Sequence, residues 1–174
     1  MPTRTRLQIT GPCLAFVTTT VTDWIPVFAD KELAKGVLTT FREGMIRQRV
    51  SCIAYVLMPS HLHAVVGVTS YPVIARFMQS FKIVSSKNLK DQLGTGLPGY
   101  LNLKEKYQFW QPRYDELLIT SEKQFRTKIE YIHTNPVRAG LVREAETWVY
   151  SSARDWSGTG RGIVPIDTTF SFQR

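Results

Sequence analysis

The strongest constraint on the fold of this chain is a pair of β-prone runs separated by three residues. Ser51 to Leu57 (SCIAYVL) and His61 to Val68 (HLHAVVGV) are joined only by Met58-Pro59-Ser60. A parallel crossover needs about a dozen residues or more, so the two runs must pair antiparallel. Upstream, Leu14 to Val21 (LAFVTTTV) is rich in β-branched and aromatic residues and reads as a strand. Asp30 is placed to cap a helix in which Leu33, Ala34, Val37, Leu38, Phe41 and Met45 recur at helical spacing, with Gly44 weakening its far end.

Pro72 opens a second helix with the apolar stripe Val73, Ile74, Phe77, Met78, Phe81 and Val84. Arg76, Gln79, Lys82 and Lys87 occupy its other face. Breakers from Gly94 to Gly99 (GTGLPG) mark a loop or hinge, and Tyr114 to Ile119 forms a further strand. Ser121 caps a third helix that runs to about Asn135, where Pro136 discourages continuation. The order β-α-β-β-α-β-α predicts an α+β fold, a ferredoxin-like split βαβ antiparallel sheet with helices mainly on one face. Residues 1–156 form one domain on this reading. The Gly/Pro/Thr-rich stretch 157–174 is expected to be a loosely packed tail.

A fold of this kind names no function, and here composition helps. Lys and Arg number 22 against 14 Asp and Glu, a net charge of +8 with neutral histidines. The cations are dispersed, which suits a folded basic surface that meets a polyanion. No apolar run approaches a membrane span, and the N-terminal region lacks the apolar block of a secretory signal. Cys13 and Cys52 suggest neither a disulfide framework nor a zinc knuckle. The expectation is a soluble protein of a reducing compartment.

His61 and His63 alternate with Leu62, so on a strand both imidazoles face one surface and Leu62 the other. Taken alone, the pair supports two readings. In one, a histidine caps the Pro59-Ser60 turn and the other sits in the sheet. In the second, the two rings are half of a metal site with open positions.

On the third helix, Phe125, Ile129 and Ile132 lie at i, i+4 and i+7 and form its core stripe. Tyr131 falls roughly 120° from the centre of that stripe, with Asn135, Lys128 and Gln124 on the same flank. His133 lands on the opposite flank, so it is not expected to share a site with Tyr131. Periodicity does not choose Tyr131 over Tyr55, Tyr107, Tyr114 or Tyr150 as a nucleophile. A phenol attacking a phosphate needs help at its oxygen and an offset for the phosphate charge. Two histidines and an amide holding a metal, with Lys128 beside the phenol, would meet both needs if the third helix packs beside the histidine strand.

Four strings, AYVLMPSHLHAVV (Ala54 to Val66), FWQPRYDELL (Phe109 to Leu118), YIHTNPVRAGLV (Tyr131 to Val142) and the WVYSSARDW that follows, closely resemble the REP-associated tyrosine transposases. These are bacterial relatives of the single-tyrosine insertion-sequence transposases within the HUH nuclease group. The similarity runs in order from about Phe16 to Trp156. It implies cleavage and rejoining of single-stranded DNA at palindromic hairpins through a 5′-phosphotyrosine. It makes Tyr131 the nucleophile, and His61, His63 and Asn135 the ligands of Mg²⁺ or Mn²⁺.

The resemblance also implies single-stranded or hairpin DNA as the partner, a cytoplasmic, nucleoid-associated location, and work as a monomer or homodimer. Arg113 and Arg138 are candidate phosphate contacts, and Lys128, Arg76 and Lys82 are expected to flank the same site. Trp110 and Gln111 either pack in the core or approach DNA with Arg113. Two positions depart from the family pattern: Ser60 stands where Asn is usual, and Asp115 where an aromatic or apolar residue is commoner. The alternative from another class is a catalytically decayed hairpin-binding module, which would be expected to have lost a histidine or the tyrosine. A replication or conjugation initiator nuclease would use similar chemistry but usually carries additional domains.

Overall fold

A computed structural model describes residues 11–93 and 109–169. Its strands are β1 (Cys13–Thr20), β2 (Ser51–Met58), β3 (His61–Val68) and β4 (Asp115–Ile119). Its long helices are α1 (Lys31–Gln48), α2 (Pro72–Leu93) and α3 (Glu122–Arg138), and a short α4 (Ala153–Ser157) follows. The sheet order is β2-β3-β1-β4, antiparallel at every pairing, so two interleaved βαβ units place β1 and β3 at the centre. This is the split βαβ sheet expected from the order of elements. The stretch Gly94 to Gly99, expected as a hinge, lies outside the described residues. No helix among the described residues is long and apolar enough to cross a membrane.

The sheet is covered on both faces, which is why β2 and β3 read as nearly continuous apolar runs. On one face Ala15, Val17, Leu62, Ala64 and Val66 pack against α1 and α2. Phe41 meets Phe77 and Phe81 there, with ring centroids 5.3 and 5.2 Å apart. On the other face Leu14, Phe16, Val56 and Val65 meet Phe125, Ile129 and Ile132 of α3.

Asp30 caps α1 by accepting from the backbone N–H groups of Glu32 and Leu33. Helix α1 runs on past Gly44 to Gln48, and a Cβ at Gly44 would lie 3.4 Å from the Phe77 ring, so its smallness serves close approach of α2. Ser121 caps α3 by accepting from Gln124 N, and Gln124 Oε1 accepts in turn from Thr120 N.

Two expectations are corrected. Helix α3 does not stop before Pro136 but carries it, buried, into a last turn that ends at Arg138. A proline so near the C-terminus sacrifices one helical hydrogen bond, and the freed end is closed by Ala139 N to Asn135 O and Leu141 N to Pro136 O. Gly140, at φ +71°, then turns the chain away.

The described part of the tail is also not loose. Val164 is fully buried in the α1/α2-side core, and its N–H donates to the Tyr55 hydroxyl. Asp167 N–H donates to Cys52 O, Leu57 N–H to Tyr150 O and Ser152 N–H to Tyr55 O. The indoles of Trp148 and Trp156 donate to Leu57 O and Ile53 O. The returning chain thereby covers the outer edge of β2, which would otherwise present unpaired backbone groups.

Candidate functional site

His61 and His63 project from central strand β3 toward the α3 face, while Leu62 enters the α1/α2 core. Their ring centroids are 4.7 Å apart. Helix α3 packs beside this strand and brings the Tyr131 ring to 5.3 Å from His63, edge to face. Phe16 of β1 stacks on His63 at 5.4 Å and meets Tyr131 at 5.9 Å. Lys128 Nζ lies 4.4 Å from the Phe16 centroid and 5.5 Å from that of Tyr131, and the Arg138 guanidinium is 6.0 Å from the Tyr131 ring.

Hydroxyls orient both imidazoles. Thr18 Oγ1 lies 2.7 Å from His63 Nδ1, and Ser60 Oγ 3.1 Å from His61 Nδ1. When each Nδ1–H donates to its hydroxyl, each Nε2 presents a lone pair, the form that binds a metal. Ser60, one of the two departures, therefore still supplies a polar partner to the first histidine.

Burial pushes His63 down to about 3, with the charges of His61 and Lys128 acting in the same direction. Burial also lowers His61. Both rings are thus neutral near pH 7. His63 Nε2 is buried and without a hydrogen-bond partner, a costly arrangement that a bound cation would resolve. No three His, Cys, Asp or Glu side chains gather to hold a metal among the described residues, so any protein group completing a site on the two imidazoles would be of another type. Asn135, half-buried one turn beyond Tyr131 on the same flank of α3, is of that type.

His133 lies away from this cluster. Its Nε2 is 2.9 Å from Ser152 Oγ and its ring 6.3 Å from Trp156, and burial lowers it to about 4 against the opposing pull of Glu146. Arg113 is exposed, two residues before Asp115, which pairs with Thr18 at the end of the β1–β4 ladder.

The second helix does not flank the site. Arg76 and Lys82 belong to α2, which covers the opposite face of the sheet. Lys82 Nζ is committed to the carbonyls of Gln111, Pro112 and Arg113, the last two at 3.1 and 3.3 Å, and burial lowers its pKa. For Trp110 the packing reading holds: it is buried, and its indole donates to Ser85 Oγ at 2.8 Å. Sequence reasoning missed Phe16, Thr18 and Trp24, whose ring lies 5.4 Å from His61. The first two sit opposite Val65 and His63 only once the β1–β3 register is known.

This α+β fold is that of solved transposases. A structure described as a REP-associated tyrosine transposase bound to a REP hairpin superposes with a TM-score of 0.69 over 99% of this chain and 96% of the other, at 20% identity. Residues 17–135, which hold the histidine pair, Tyr131 and Asn135, match the family described as Transposase IS200 like, and the chain belongs to that family. It is similar to the REP-associated tyrosine transposase of Escherichia coli K12, 41% identical over 59 residues, and to a Haemophilus influenzae protein provisionally given the same name, 24% identical over 123 residues. The matched stretches span 33% and 61% of this chain, and 34% and 66% of those relatives.

Proposed function

We propose that this protein cuts and rejoins single-stranded DNA beside hairpin repeats through a 5′-phosphotyrosine on Tyr131. The observation that carries the reading is the meeting of Tyr131 with His63 at 5.3 Å, beside a buried Nε2 that lacks a partner. Hairpin repeats enter this reading from the similar structure that is described as bound to a REP hairpin. His61, His63 and Asn135 would hold Mg²⁺ or Mn²⁺, which when bound supplies charge to polarise a scissile phosphate.

Tyr131 attacks phosphorus, forming a Tyr–O–P ester as the P–O3′ bond breaks. The phenol proton is lost and the departing 3′ oxygen gains one, so the step balances and the ester keeps the bond for rejoining. Lys128 places a cation beside the phenol, and Arg138 and Arg113 contact neighbouring phosphates. All these groups stand in one chain, so a monomer holds a full set. A cytoplasmic, nucleoid-associated place follows from the same reading.

Labelled hairpin oligonucleotides with unpaired flanks, incubated with Mn²⁺, should yield a covalent adduct on denaturing gels. Tyr131→Phe should abolish it, and His61→Ala or chelation should suppress it. An adduct that survives Tyr131→Phe overturns the assignment of the nucleophile. Mn²⁺ binding followed by electron paramagnetic resonance should weaken in His63→Ala without any DNA present.

A further inference from the structure

Trp24 is unusual in three independent respects. It is 58% exposed, although large aromatic side chains are usually well buried. It and Asp23 are consecutive non-glycine residues with left-handed φ, +58° and +56°, a conformation that costs free energy at each. Its ring meets His61 edge to face at 5.4 Å.

The strained turn is held from several sides. Val21 N–H donates to Ser60 O at 2.8 Å, Thr22 N–H to Phe109 O at 2.9 Å and Phe28 N–H to Pro59 O at 2.9 Å. The first and third of these bonds anchor this segment to the β2–β3 connection that leads into His61, and the second ties it to the stretch before β4. Strain held in place so firmly, and used to expose an indole, marks a functional surface rather than packing.

The position of Trp24 suggests what it receives. Ring contacts run from Trp24 to His61, from His61 to His63 and from His63 to Tyr131, so Trp24 stands at the far end of the series from the tyrosine. In an in-line displacement the leaving oxygen lies across phosphorus from the attacking one. We infer that Trp24 is a stacking platform for the base of the nucleotide immediately 5′ of the cut, the one whose 3′ oxygen leaves. Stacking there holds the released 3′-hydroxyl strand close to the ester it must rejoin. The inference rests on the proposed DNA-cutting function and adds to it the side of the cut that the protein grips.

The test uses the full chain in a Tyr131→Phe background, so the strand stays intact, and a hairpin oligonucleotide with unpaired flanks. Trp24→Ala should weaken binding about 5- to 140-fold, the range of one base–aromatic stack. Trp24→Phe should retain most of the affinity, and Trp24→Leu, which keeps an apolar side chain, should lose it. Removing the base just 5′ of the cut should weaken the protein that retains Trp24 and leave Trp24→Ala unchanged, a coupling that a merely structural tryptophan would not show.

Binding by Trp24→Ala equal to that of its parent, or additive losses at the abasic position, overturns the inference and leaves the cutting function standing. Failure of the parent protein to bind any single-stranded oligonucleotide overturns both.

Discussion

The two faces of the sheet are built from the same strands but to different ends. Along β3, Leu62, Ala64 and Val66 enter a dry core with Phe41, Phe77 and Phe81, while His61 and His63 point the other way among Phe16, Tyr131 and Lys128. The α1/α2 face is closed by apolar contact and shape. The α3 face is also largely buried, but it carries the imidazole pair and cations over aromatic rings. Among the described residues each face leaves one buried side-chain polar atom unpartnered, His63 Nε2 here and the Thr19 hydroxyl opposite Leu62 on the other. Strand alternation lets one segment anchor the fold and present the chemistry without mixing the two tasks. Stability and activity should therefore separate by face.

The largest effects test that separation directly. Phe77→Ala, a truncation of a fully buried ring against α1, should destabilise by about 3–5 kcal/mol in chemical denaturation. Tyr131→Phe removes only a hydroxyl, so it should unfold close to wild type while losing all adduct. A Tyr131→Phe protein as unstable as Phe77→Ala would break the comparison.

An intermediate effect comes from acid. The folded state keeps His63 and His133 neutral down to about 3 and about 4, whereas unfolded histidines bind protons near pH 6.5. Between those limits the unfolded chain holds more protons, so stability rises with pH there and falls as pH drops from about 7 toward 4. Thermal unfolding followed across that range should show the loss. His133→Gln, which can keep a hydrogen bond to Ser152 Oγ, should flatten the slope without touching the Tyr131 cluster.

How much of this was legible depended on whether the partner of each residue was local. The hairpin was readable because Met58-Pro59-Ser60 leaves no other route, and Asp30 and Ser121 were readable because a cap bonds within its own turn. Tyr131, Lys128 and Asn135 share a helix flank, so their grouping was visible, but their meeting with His63 awaited the packing of α3 on β3. Pro136 misled because its burial offsets a local rule. Val164 was hidden because a breaker-rich composition does not reveal one valine inserted in a distant core. Lys82 does lie on the polar side of α2, yet the loop carbonyls that engage it come from residues 29 to 31 positions further along.

The smallest expected effects concern that same contrast between cations. Arg138 lies beside Tyr131, whereas Arg76 belongs to the helix on the other face. If DNA occupies the α3 face, Arg138→Ala should reduce the slope of log affinity against log salt by about 0.7, the share of one phosphate contact on a single strand. Arg76→Ala should leave the slope unchanged. Lys82→Met should also leave it nearly unchanged but lower stability by about 1–3 kcal/mol, because it strips the donor from three carbonyls. Equal slope changes for Arg138→Ala and Arg76→Ala would mean that the strand wraps both faces, and the division of labour across the sheet would not extend to binding.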